Sequence, residues 1–354
     1  MYLIFTENLV PDMRTSEDIL SQNGFIKLLA QGAILNQSQI NRLKNCGLPF
    51  IYIDDNTTKK KKDVNIAVYM TNAEFNKGYH ETIDKIVHAF KHTKKFKEVP
   101  LVQMQELIDQ KIILLIETIG VLEHLHDIRC YSEYTFNHSL NVAILAGILG
   151  KWCNYQKAEL KDLILAGLLH DIGKLSIPLS ILNKPDRLSD EEFVIIKNHP
   201  QESYQLIKNA QISENVKLGI WQHHECLDGG GYPLGLSGNE ICPEARIIAI
   251  ADIYDSITSD RVYRSRMTPF EALDLLADCM FKKLEPNACL TFIENIRNYF
   301  TGSNVILSNG AKAKIVAFAA NDNCFTKPVV YAQDGKFLDL QKEDLCIIKV
   351  QEIS

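Results

Sequence analysis

The run Leu163-Ile164-Leu165-Ala166-Gly167-Leu168-Leu169 is apolar throughout and stops at His170-Asp171-Ile172-Gly173-Lys174. Such a run demands a buried helix, and a carboxylate at its end loses its hydration with no return unless a cation lies beside it. A metal ion is the simplest cation to place there. The constraint therefore calls for a packed helical core with a polar site set into it.

The remaining ligands must come from elsewhere in the chain, and five of the ten histidines fall between positions 138 and 224. His138 stands before a helix expected over 140–152. His170 and Asp171 close one expected over 157–171, where Gly173 lets the chain turn away. His199 precedes Pro200, a good helix starter, so its imidazole should project from a junction between helices. His223 and His224 end an amphipathic helix together. Adjacent helical residues point ~100° apart, which suits ligands that approach neighbouring ions from different sides. Asp252 is the only charge in 247–253, and Asp255, Ser256 and Ser259 extend it into a polar stripe that should face the same cavity.

Imidazole nitrogens with carboxylate oxygens suit iron, manganese, zinc or nickel, and a carboxylate can bridge two ions. Asp171 is the best placed to bridge, because its position beside His170 lets one segment serve both. Two ions roughly 3.5–4 Å apart activate water and neutralise a phosphoryl group, so phosphodiester hydrolysis follows naturally. A single buried histidine is usually a satisfied core residue; the joint pattern is what points to a metal. His126-Asp127 imitates the doublet, but Arg129 follows and no apolar run precedes it, so it reads as a surface pair.

At 354 residues the chain exceeds the usual single domain, and two or three units are expected. The boundaries read as a small α+β module at 1–55, a linker and connecting helix at 56–110, a helical domain at 111–300 and a small β-rich extension at 301–354. The tract 56–63, with Lys59 to Lys62 in succession, is too hydrophilic to pack. After Gly302 the pattern turns β-rich, and Asn309-Gly310 and Asp334-Gly335 mark hairpin turns. The fold class is mainly α. A formal net charge of −6 opposes binding to polymeric nucleic acid and leaves room for a small anionic ligand. Nine cysteines without a C-x-x-C pair read as reduced thiols. No apolar run approaches the ~18 residues needed to cross a bilayer, so membrane insertion is not expected and a cytoplasmic location is.

His223-His224-Glu225-Cys226-Leu227-Asp228-Gly229-Gly230-Gly231-Tyr232-Pro233, taken after His-Asp-Ile-Gly-Lys and His199-Pro200, resembles the signature of the HD-GYP family, a branch of the HD superfamily of metal-dependent phosphohydrolases. The likeness extends from about Tyr134 through Arg264. It implies an HD-type helical bundle that hydrolyses cyclic di-GMP to pGpG or GMP. By the same resemblance the metal ligands are His138, His170, Asp171, His199, His223, His224 and Asp252. Lys174 matches the family lysine near the scissile phosphate, Tyr232 a residue that faces the ligand, and Arg261 and Arg264 a segment that contacts phosphate or guanine. Some members carry a glutamate four residues before the first histidine and hold a third metal. Tyr134 stands there instead, so two divalent ions are expected, iron or manganese before zinc or nickel. Val262 replaces a frequent proline. A homodimer or a signalling-protein partner is compatible with this reading. Two alternatives stand beside it: a non-catalytic cyclic dinucleotide sensor, and a phosphodiesterase for another cyclic dinucleotide such as cyclic GMP-AMP.

Overall fold

A computed structural model describes residues 2–6, 9–20, 27–45, 48, 50–54, 68, 70–128, 134–184, 186–259, 267–318 and 327–351. The lysine tract expected to be a linker lies outside them. The chain divides into two compact units, one comprising residues 1–71 with 117–121, the other 72–116 with 122–354.

In the first unit, β1 (Tyr2–Phe5) pairs antiparallel with β4 (Phe50–Ile53), Tyr2 facing Ile53 and Phe5 facing Phe50. A second ribbon joins β2 (Ile19–Leu20) to β3 (Lys27–Leu29). Between β3 and β4, α1 (Gln37–Asn45) turns Ile40 and Leu43 onto Ile4, Ile51 and Ile53, and these five side chains are almost wholly buried. Three-residue spacing on the helix thus meets two-residue alternation on the strands, and one small core results.

The second unit is mainly helical. Its first helix, α2 (Asn72–Phe96), buries Phe75, Tyr79, Ile83, Ile86 and Phe90 along one stripe. After Pro100, α3 (Leu101–Leu107) passes through a π-helical turn at Ile108–Ile112 into α4 (Ile113–Ile116). There follow α5 (Val121–Asp127), α6 (Tyr134–Trp152) and α7 (Lys157–Leu169). A capping box of Gln156 and Glu159 opens α7, and its whole second half, Leu163 to Leu169, is buried as the apolar run demands. Burial of each large aliphatic chain contributes roughly 1.5–3 kcal/mol, enough to hold polar groups at the helix end in place.

Beyond a 3-10 turn at Ile172–Ser176 come α8 (Leu179–Leu182), α9 (Asp190–Lys197), α10 (His199–Ile207) and α11 (Glu214–Gln222). A capping box of Ser189 and Glu192 opens α9. Then α12 (Pro243–Thr258), α13 (Pro269–Cys279) and α14 (Pro286–Phe300) complete the helices, each with proline in its first turn. The chain ends in a five-stranded antiparallel sheet of order β8-β7-β6-β5-β9, formed by β5 (Asn304–Leu307), β6 (Lys312–Phe318), β7 (Pro328–Ala332), β8 (Phe337–Asp339) and β9 (Ile347–Gln351). Gly310 and Gly335 take positive φ in the two tight turns. β8 and β9 are short and were not evident in the sequence.

Candidate metal centre

The site gathers where α6, α7, α10, α11 and α12 meet. His138 lies inside α6, not ahead of it: the helix begins at Tyr134, more than a turn earlier than its apolar pattern indicates. The reason is that Asn137, His138 and Ser139 are polar yet buried, so hydrophobic periodicity cannot register that turn. His170 caps the end of α7 and Asp171 follows it, so the helix stops at Leu169, two residues short of the expected 157–171. His199 opens α10, His223 caps the end of α11, and Asp252 lies within α12.

Gly173 serves closeness more than turning. Its φ is not in the left-handed region, but an added Cβ would fall 2.2 Å from the His199 carbonyl oxygen and 2.5 Å from the Ser203 nitrogen. The 3-10 turn therefore presses directly on the start of α10. Ser203 fastens the two: its hydroxyl donates to the His170 carbonyl and accepts from the Gly173 N–H, both at 2.8 Å.

The imidazoles are oriented by backbone. His170, His199 and His223 each donate Nδ1–H to the carbonyl three residues earlier, Gly167, Ile196 and Ile220, at 2.7, 2.7 and 2.8 Å. A carbonyl only accepts, so in the neutral ring each Nε2 carries a lone pair. Those lone pairs converge. His199 Nε2 lies 3.3 Å from His223 Nε2 and 3.0 Å from Asp171 Oδ1, while Asp171 Oδ2 lies 3.4 Å from His170 Nε2 and 3.5 Å from His138 Nε2. His170 Nε2 and Asp171 Oδ1 are enclosed and make no hydrogen bond. Acceptors aimed at one another in a buried space call for a cation between them.

The donors fall into groups whose atoms lie within 4.8 Å of one another: His199, His223 and His224; His138, His170 and Asp252; and His170, Asp171 and His223. Asp171 turns one oxygen toward the first group and the other toward the second, the geometry a bridging carboxylate needs. His223 and His224 do not diverge as helix spacing suggests. His223 is already the last cap of α11 and His224 lies beyond it, so the ~100° step does not apply and both rings reach His199.

A carboxylate stands behind His138. Asp255 Oδ2 accepts from His138 Nδ1 at 2.7 Å, and its other oxygen accepts from Asn141 Nδ2 at 2.8 Å and from the Ser259 hydroxyl at 2.9 Å. Tyr79 in turn donates to Asn141 Oδ1 at 2.7 Å. Such a partner fixes the ring and raises its basicity. The polar stripe of α12 expected from sequence is thus present, with Asp252 3.1 Å from His138 Nε2 and Asp255 on the ring's other nitrogen.

Electrostatics divide the cluster. Burial works to lower the His138 pKa, but its hydrogen bonds and charge attraction to Asp252 and Asp255 prevail and lift it to about 9. Burial and neighbouring imidazoles push His223 well down, and burial takes His224 to about 3. Burial alone would raise both carboxylates; Lys174 and His170 hold Asp171 well below the usual carboxylate range, and His138 does the same for Asp252. His223 and His224 are thus neutral imidazoles beside the ionised carboxylates of Asp171 and Asp252, the states that ligate a divalent metal, whereas His138 holds a proton at neutral pH that a bound ion would have to displace.

At the mouth, Lys174 Nζ lies 2.5 Å from Asp171 Oδ2. The Tyr232 ring sits 4.7 Å from that of His224, and burial raises its hydroxyl above the usual phenol range. Gly231 makes this loop possible, since a Cβ there would lie 2.4 Å from the Cys226 nitrogen and from Glu225 Cα. Glu225, itself buried, accepts from the Leu234 and Leu236 N–H groups at 2.6 and 2.9 Å and so shapes the turn that carries Tyr232. Arg261 and Arg264 lie outside the described residues. Sequence reasoning missed Ser203, Glu225 and the specific partner role of Asp255; only the last left a trace, as a stripe.

Residues 122–286 match the family model described as an HD domain. The chain is 32% identical over 226 residues to a cyclic di-GMP phosphodiesterase of Pseudomonas aeruginosa, covering 64% of this chain and 54% of that protein. It is 36% identical over 170 residues to 3'3'-cGAMP-specific phosphodiesterase 1 of Vibrio cholerae, covering 48% and 39%. It is 30% identical over 212 residues to cyclic di-GMP phosphodiesterase PdeB of Borreliella burgdorferi, covering 60% and 56%. The chain thus spans 39% to 56% of the length of these relatives. An HDG"Y"P protein from Bdellovibrio bacteriovorus shares the fold, with a TM-score of 0.51 at 18% identity over 83% of this chain and 98% of that one. The helical region therefore contains an HD domain, a family that is metal-dependent. In sequence the chain is similar to cyclic dinucleotide phosphodiesterases, and its segment 223–233 resembles the HD-GYP signature.

Proposed function

We propose that this chain hydrolyses cyclic di-GMP to pGpG or on to GMP, using two divalent ions. The observation that carries the reading is the convergence of imidazole nitrogens on both oxygens of Asp171, with His170 Nε2 and Asp171 Oδ1 enclosed and making no hydrogen bond. His138, His170, Asp252 and Asp171 Oδ2 would hold one ion, and His199, His223, His224 and Asp171 Oδ1 the other. Nitrogen and oxygen donors in this mix suit iron or manganese, with zinc or nickel as lesser candidates. A pair of such ions, when bound, supplies an activated water and neutralises phosphoryl charge.

The chain's own groups supply the rest. The Lys174 ammonium stands where it can stabilise charge on the phosphoryl group or give a proton to the departing 3′ oxygen. Its partner Asp171 fixes its position. Tyr232, Arg261 and Arg264 are assigned to the ligand by the signature they match, the arginines to phosphate or guanine. Among the described residues no helix is long and apolar enough to cross a membrane. A cytoplasmic setting, with reduced thiols, belongs to the proposal, as does association with a second copy or a signalling protein.

The test is turnover by anaerobically purified protein loaded in turn with iron, manganese, zinc and nickel. Cyclic di-GMP should give pGpG or GMP faster than 3'3'-cGAMP is cleaved, and Asp171→Ala should abolish the product. Intact cyclic di-GMP with every metal would overturn the proposal; nucleotide bound without turnover would favour the sensor.

A further inference from the structure

Lys197 stands at the end of α9, two residues before His199, and the sequence alone marks it only as a base in the last turn. Its ammonium lies 5.0 Å from the centroid of the Tyr232 ring and 5.4 Å from that of Phe193. Both fall within cation–π range. The order outward from the donor cluster is thus His224, Tyr232, Lys197. Ring faces hold an ammonium in place but leave its charge uncompensated. Among the described residues Lys197 has no ion-pair partner, whereas Lys174 is engaged with Asp171. No residue of α9 is buried; Phe193 is exposed and Lys197 half-buried.

A cyclic dinucleotide carries two phosphodiester charges, and only one can sit at the reacting position. The other lies away from the two ions that would serve the first. It needs a cation of its own. We propose that Lys197 is a positioning residue that pairs with the second, non-reacting phosphodiester, its ammonium held ready between the rings of Tyr232 and Phe193. This inference rests on the reading of the site as a cyclic dinucleotide phosphodiesterase.

The experiment compares metal-loaded wild type, Lys197→Gln and Lys197→Arg, by steady-state kinetics and by calorimetric binding of cyclic di-GMP, with GMP as a single-phosphate competitor. For Lys197→Gln, KM and Kd for cyclic di-GMP should rise about tenfold, with kcat held within about twofold. Lys197→Arg, which keeps the charge, should recover to within about threefold, and GMP inhibition should move less than about twofold. Unchanged KM and Kd in Lys197→Gln would overturn the proposal. So would a joint loss of kcat and melting temperature, which marks a structural lysine, or an equal loss of GMP affinity, which marks a base contact. Should the wild type bind without hydrolysis, the proposed function fails while the Kd comparison still decides the role of Lys197; absence of binding overturns both.

Discussion

Replacing Asp255 with asparagine removes one charge and one acceptor without changing shape, and the hydrogen bonds around it dictate the consequence. Asp255 accepts three of them, one from His138 on Oδ2 and two on Oδ1 from Asn141 and Ser259. Asparagine has a single oxygen. If that oxygen serves His138, its amide faces the Asn141 amide, donor against donor, and Asn141 cannot turn because its own oxygen accepts from Tyr79. If the oxygen serves Asn141, the amide faces His138 Nδ1 and pushes the ring toward the tautomer with Nε2 protonated, which cannot ligate. The first outcome leaves a buried donor unsatisfied, at about 1–3 kcal/mol of fold stability. Either outcome weakens the hold on His138, and loss of such a partner typically lowers metal affinity about 10–100-fold, or roughly 1.4–2.7 kcal/mol. Competition between Asp255→Asn protein and a chromogenic chelator measures the affinity, and thermal melting of the chelated form measures the fold. Metal affinity within about twofold of wild type would refute the reasoning, because His138 would then need no partner to face the ion.

Further outcomes rest on the same packing. Gly173→Ala drives a methyl into the His199 carbonyl and Ser203 backbone, neither of which can yield like a flexible side chain, so a loss of at least the ~1–3 kcal/mol typical of overpacking is expected in a chemical melt. Gly231→Ala should leave the fold's melting temperature nearly intact while sharply reducing turnover, since the clash with Cys226 and Glu225 displaces the loop that carries Tyr232; unchanged kcat/KM would contradict this. Stability of the metal-stripped protein should peak near about pH 6.5, the unperturbed histidine value. Below it the unfolded chain binds protons that buried His223 and His224 refuse, so stability falls with pH. Above it the His138 contribution, present below the unfolded value, is lost as pH rises toward about 9. A melting temperature that climbs steadily across that range would contradict the assignment.

How much of this was legible in the sequence depends on how each residue signals. His170-Asp171 and Asp252 announced themselves because charge in an apolar run has few explanations, and both lie where that logic put them. His199 was legible from Pro200, and the helical unit from its apolar periodicity. Residues whose role is to hold others left weaker marks. Ser203 acts through backbone atoms of His170 and Gly173, and Glu225 through the N–H groups of Leu234 and Leu236; long-range contacts of that kind have no local pattern. His138 was misplaced relative to its helix because buried polar residues break the hydrophobic stripe that marks a helix start. Lys197 resembled any solvent-facing base until the fold brought Phe193 and Tyr232 around it.

The central claim is that seven side chains converge on two divalent ions, and metal counting tests it most directly. Elemental analysis of anaerobically purified wild-type protein should find two equivalents of iron or manganese per chain, falling below one in Asp171→Asn, where the shared carboxylate is lost. A wild type holding no transition metal, or one that keeps both ions when Asp171 is replaced, would contradict the account.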